Sequence, residues 1–120
     1  MTINKTMSVL MLAMLGLFFG VVSHVESADF ITCQELVTYC ESDNIFDQIE
    51  CYGYVVGATD SYKKQVNKYK IKTRICEPKD VTVDQESVVF IKWASVYPEE
   101  LQKEGAYCVI TSLMAEFTCK

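Results

Sequence analysis

The sequence predicts a small all-α domain, a disulfide-stapled bundle of roughly four to five helices. Three observations carry this expectation. Apolar residues recur at three- and four-residue steps, and no convincing pair of strands interrupts them. Two segments open with the Thr-x-x-Glu or Thr-x-x-Gln spacing of a helix capping box. The six cysteines form an even set in a chain whose first residues look like an export signal.

At 120 residues, 50% hydrophobic and 22% charged, the chain is long enough for one globular domain and too short for two. Lys5 is followed by an apolar run from Val9 to Val22, about 14 residues long, and then by the polar stretch Ser23 to Ser27. This is the layout of a secretory signal peptide. Cleavage is expected after Ser27, with Ala28 as the alternative, leaving 28–120 as the working domain. The run falls short of the ~20 apolar residues of a spanning helix, so no membrane contact is expected once the signal is gone. No cysteine stands at its end, which excludes a lipid-anchored lipoprotein.

Removal of the signal takes away His24, the only histidine. Nucleophilic triads and His-ligated zinc hydrolases need an imidazole, so both are excluded. A carboxylate-only acid–base pair needs a cleft that so short a chain can hardly build. The chain is therefore read as not an enzyme, with no cofactor and no metal. Cys33, Cys40, Cys51, Cys76, Cys108 and Cys119 lack any C-x-x-C pair, and exported thiols oxidise, so they are read as disulfides. Six cysteines allow 15 connectivities, and spacing alone does not choose among them.

A short first helix is expected over Thr32 to Cys40, where Thr32 and Glu35 make the capping box and Cys33, Leu36, Val37 and Cys40 share a face. It ends before the acidic loop Glu41 to Asn44. A second helix should run from about Asp47 to Lys68, burying Cys51, Tyr54, Val55, Ala58, Tyr62 and Val66. Gly53, Gly57 and Asp60 lie beside that stripe. The glycines are read as admitting a neighbouring helix at close range, and Asp60 as a hydrogen-bond acceptor. The alternative is a backbone groove for a ligand. Cys76-Glu77-Pro78 breaks the chain before a third helix, capped by Thr82 and Gln85, with Val89, Phe90, Trp93, Val96 and Tyr97 as its apolar stripe. Pro98 stops that helix and suits the first position of a fourth, with Glu99 and Glu100 in its first turn. The fourth carries Ala106, Val109, Ile110, Leu113 and Phe117.

Charge is sharply divided. Lys63, Lys64, Lys68, Lys70, Lys72 and Arg74 fall in one stretch without an acid, and the rest of the exported chain has four lysines against fifteen acids. An exported protein with a net charge of −5 is not a nucleic-acid binder. The basic stretch is read as a solvated helix end that also complements the helix dipole, or else as a surface for an acidic partner.

Taken in order, Leu36 to Cys40, Cys51-Tyr52-Gly53-Tyr54, Gly57, Asp60, Cys76-Glu77-Pro78, Val81-Thr82, Gln85, Tyr97-Pro98, Ala106 and Phe117-Thr118-Cys119 form a pattern that resembles the Rap/Tai-type immunity proteins of type VI secretion systems. The resemblance spans about Phe30 to Lys120. It departs from the family at Thr118, where a proline is usual, and Cys33 and Cys108 are additions to the family's four cysteines. It implies a periplasmic antitoxin that binds and blocks a peptidoglycan amidase effector without catalysis of its own. Gly53, Tyr54, Gly57, Asp60 and Pro78 are then motif residues with structural roles. The disulfides implied are Cys40–Cys51 and Cys76–Cys119, with the two added cysteines as the pair Cys33–Cys108. Tyr62, Lys63, Lys64, Tyr69 and Arg74 are expected to meet the toxin, and the acidic stretch Glu41 to Glu50, with Asp43 and Asp47, is the rival surface. A homodimer is left open. The competing reading is an acid-stress periplasmic chaperone of the Hde type, whose cysteine sites Thr32-Cys33-Gln34-Glu35 and Cys76 faintly resemble; six cysteines oppose it, because cross-links resist the unfolding such a chaperone needs.

Overall fold

A computed structural model describes residues 29–120. The signal segment read at residues 1–27 lies outside the described residues. Both capping boxes form. Thr32 accepts from the Glu35 N–H while the Glu35 carboxylate accepts from the Thr32 N–H at 2.8 Å, opening α1, Cys33–Glu41. Thr82 and Gln85 repeat the exchange at the start of α3, Val83–Val96. Between them runs α2, Ile45–Tyr69, capped by the Asn44 side chain on the Phe46 N–H and closed by Lys70 in the left-handed conformation (φ 54°). The last helix, α4, is Gly105–Glu116.

The fourth helix begins later than expected. Pro98–Glu100 make only a single 3-10 turn, and Leu101 to Glu104 leave the helical path. Their backbone is engaged by the chain entering α1. The Cys33 N–H donates to Lys103 O at 2.8 Å, the Gln34 N–H to Leu101 O at 3.0 Å, and the Gly105 N–H to Ile31 O at 2.8 Å. Pairing with a remote segment outcompetes local helix extension there.

The core gathers Cys33 and Leu36 from α1, Cys51 and Val55 from α2, Phe90 and Ala94 from α3, and Cys108, Val109 and Leu113 from α4, with Ile75 from the connection between α2 and α3. The α3 face is rotated from the expected stripe. Val96 and Tyr97 are exposed, whereas Ser87, Ala94 and the carboxyl-bearing Glu86 are buried. Three disulfides tie the bundle: Cys33–Cys108, Cys40–Cys51 and Cys76–Cys119, with Cα separations of 6.1, 5.0 and 5.0 Å. They are the pairs named above. No helix among the described residues is long and apolar enough to cross a membrane.

Candidate partner-binding surface

The basic stretch proves to be two different things. Its first members hold the α2–α3 connection in place. The Tyr62 hydroxyl accepts the Arg74 N–H at 2.9 Å, and Lys63 Nζ pairs with Glu77 Oε1 at 2.5 Å. The same connection is fixed by the Cys76 N–H on Phe117 O at 2.8 Å and by the Cys76–Cys119 bridge. Tyr62 and Lys63 thus have partners within the chain, although Lys63 stays exposed, as do Lys64, Tyr69 and Arg74. Tyr69 lies under Lys68, with Nζ 5.1 Å from its ring centre. Beyond Arg74 an open cleft of about 900 Å³ runs between the connection and α4, lined by Lys72, Arg74, Tyr107, Met114 and Lys120 among others. Its lining carries cationic side chains and no acidic one. It can attract an acidic group, but it holds no acid–base pair.

Beneath the basic stretch lies a buried carboxyl pair. Glu86 is 7% exposed and faces Glu77, Lys63 and Asp60. Burial first, and a hydrogen bond with Glu77 second, push its pKa from the ordinary 4.5 to about 7. Glu77 Oε1 is taken by Lys63, and its buried Oε2 has no other partner among the described residues. Contact with Glu77 holds the Lys63 pKa above its usual value. This cluster fastens the connection to α2 and α3, with Glu86 buried and Lys63 and Asp60 at the surface.

The motif residues separate in the same way. Tyr54 is structural: its hydroxyl accepts the Ala106 N–H at 3.1 Å, and its ring packs where α4 begins. The Pro78 carbonyl accepts from the Val81 N–H in the turn before α3. Asp60 is exposed beside Lys63. The expectation for Gly53 and Gly57 is corrected. Both are exposed, and a Cβ added to either meets no described atom within 4 Å, so no helix among the described residues approaches them. The glycine that admits close packing is Gly105, whose added Cβ would lie 3.0 Å from Ile31 Cγ2 and 3.1 Å from Tyr54 Cε1.

The outward side of α2 carries the two alternatives read from the sequence, the groove at Gly53 and Gly57 and the rival acidic surface Glu41 to Glu50, and adds exposed apolar residues to them. Phe46 is 73% exposed, Ile49 59% and Val56 42%, and Ile45 is exposed beside them. At 100° per residue, Phe46, Ile49, Gly53, Val56, Gly57 and Asp60 fall on one side of the helix. The signal was present in the sequence: the apolar residues left over once the buried stripe is removed share the glycines' face.

A family model described as Rap1a immunity proteins matches residues 32–119, from the cap of α1 to the last disulfide cysteine. No curated protein and no solved structure matches the chain significantly.

Proposed function

The chain belongs to the Rap1a immunity protein family, and from that premise we propose that it is a periplasmic immunity protein that binds and inhibits a peptidoglycan amidase toxin delivered by a type VI secretion system. The observation that carries the reading is the family match across the whole folded body, residues 32–119. An immunity protein neutralises a toxin by contact, so the chain needs a rigid, exposed binding face and no reacting groups. Three disulfides supply the rigidity in an oxidising compartment, and the signal segment read at residues 1–27 supplies the route to it. Inhibition then proceeds by obstructing the toxin's substrate cleft, leaving both proteins chemically unchanged.

The chaperone reading is disfavoured by a particular feature. An acid-triggered chaperone must lose its fold as carboxylates protonate, yet protonation of Glu86 relieves the buried Glu77–Glu86 pair. Mild acid tightens this joint instead of loosening it.

The test is protection. A type VI peptidoglycan amidase effector of the same organism, directed to the periplasm of a susceptible cell, lyses it. Co-expression of the full chain restores growth, and a version lacking residues 1–27 does not. Lysis unchanged by the full exported chain contradicts the proposal.

A further inference from the structure

The three disulfides are not equally shielded. Cys33 and Cys108 are both fully buried. In the second bridge Cys51 is fully buried and Cys40 half-buried, with the acids Glu41, Asp43, Asp47 and Glu50 close by in the sequence. Cys76 is exposed and Cys119 half-buried, so among the described residues the third bridge is the most open to solvent. Cys119 also lines the cleft between the α2–α3 connection and α4. Its Sγ lies 3.6 Å from the Thr73 carbonyl oxygen, beside the residue that separates Lys72 from Arg74.

The charges around this bridge favour an incoming anion. Lys72, Arg74 and Lys120 line the cleft, and neither Lys72 nor Arg74 is in a salt bridge among the described residues. The acids near the two cysteines in sequence are otherwise placed. Glu77 is half-buried and paired with Lys63, Glu116 lines a separate groove with Trp93, and Asp80 is exposed next to Lys79. A thiolate, the form that attacks a disulfide, is itself an anion. The fold also holds this region without the bridge. The Cys76 N–H bonds to Phe117 O, Ile75 pairs with Thr118, the Tyr62 hydroxyl accepts the Arg74 N–H, and Lys63 holds Glu77. The bridge can therefore open while the chain stays folded.

We propose that Cys76–Cys119 is a site of thiol–disulfide exchange, reached through the cationic cleft, and that it accepts a small thiol bearing an acidic group. The incoming thiolate attacks Cys119 Sγ and forms a new S–S bond there. The Cys76–Cys119 bond breaks, and its electron pair leaves on Cys76 Sγ, which takes up the proton that the incoming thiol gave to water. The product carries a mixed disulfide on Cys119 and a free thiol at Cys76, with the acidic group of the adduct set against Lys72 and Arg74. This chemistry stands apart from the immunity reading and does not depend on it.

The experiment exposes the full exported chain to a brief pulse of a small thiol, quenches it in acid, alkylates the free thiols and maps the peptides by mass. The probes are anionic 2-mercaptoethanesulfonate and cationic cysteamine, each rate divided by that thiol's rate on a small neutral disulfide. The adduct should appear on Cys119 and the alkyl group on Cys76, with the other two bridges intact and the helical circular dichroism unchanged. The anionic probe should react about tenfold faster than the cationic one on this scale. Raising the salt should narrow that ratio, and Lys72→Glu with Arg74→Glu should reverse it. Opening of Cys33–Cys108 or Cys40–Cys51 first, or of all three bridges together, overturns the proposal. So does an adduct confined to Cys76, or a wild type that takes both probes at equal relative rates.

Discussion

Replacing each helical glycine by alanine should give opposite results at two kinds of site. Gly53 and Gly57 lie in the interior of α2, exposed, with no described atom within 4 Å of an added Cβ. Alanine there removes only the conformational penalty of glycine, so each change should stabilise the fold by about 1 kcal/mol. The two sites are one turn apart and can couple, so the double variant should gain up to about 2 kcal/mol. For a domain of this size that corresponds to a rise in melting temperature of roughly 8–12 °C. Gly105 is buried, and its Cβ would stand 3.0 Å from Ile31 Cγ2, 3.1 Å from Tyr54 Cε1 and 3.2 Å from the Tyr54 hydroxyl. Ile31 is held by its carbonyl bond to the Gly105 N–H, and Tyr54 by the Ala106 N–H. Neither can withdraw freely, so Gly105→Ala should destabilise by about 1–3 kcal/mol. Thermal denaturation followed by circular dichroism, with disulfides intact, reads all three. A Gly57→Ala that melts lower than the wild type, or a Gly105→Ala that melts no lower, refutes the reasoning.

Two further outcomes follow from the buried connection between α2 and α3. Glu86 has its pKa raised to about 7 from an ordinary 4.5, first by burial and then by Glu77, so the folded chain holds a proton through that window that the unfolded chain has released. Stability should therefore be highest in mild acid and fall as pH rises from about 4.5 through 7, by about 1–2 kcal/mol after allowance for solvent screening. Denaturant midpoints at pH 5 and pH 8 measure the fall, and Glu86→Gln should flatten it; a midpoint that rises over this interval contradicts the assignment. Tyr62→Phe removes the acceptor for the Arg74 N–H and should cost about 1 kcal/mol, with faster amide exchange at Arg74 and toxin binding unchanged; a selective loss of binding would return Tyr62 to the contact surface.

What the sequence disclosed was mainly local. The boxes Thr32/Glu35 and Thr82/Gln85 could be read because a cap needs only residues three apart, and both form as expected. The start of α4 could not be read, because it is decided by hydrogen bonds to Ile31, Cys33 and Gln34 some seventy residues earlier. On α3 periodicity picked out the buried Phe90 and left out the exposed Val88, but the apolar pattern is nearly continuous, so it placed the exposed Val96 in the stripe and missed the buried Ala94. The buried Glu86 was hidden for a related reason: an acid in the first turn of a capped helix reads as a favourable surface charge. At the candidate site, charge density drew attention to Tyr62 and Lys63, but composition does not reveal that a partner within the chain already holds them. The glycines were noticed and assigned to the wrong neighbour, since spacing shows that a face is small without showing whether the chain covers it.

The central claim is that this chain neutralises a toxin by occupying it. Toxin activity on its own cell-wall substrate, titrated with the full exported chain, tests it most directly. The account predicts a linear loss that ends at a fixed stoichiometric ratio, with the toxin's mass unchanged and its activity recovered when the complex is separated. Activity that persists in excess of the chain, or that is lost progressively at substoichiometric amounts with the toxin altered, would contradict it.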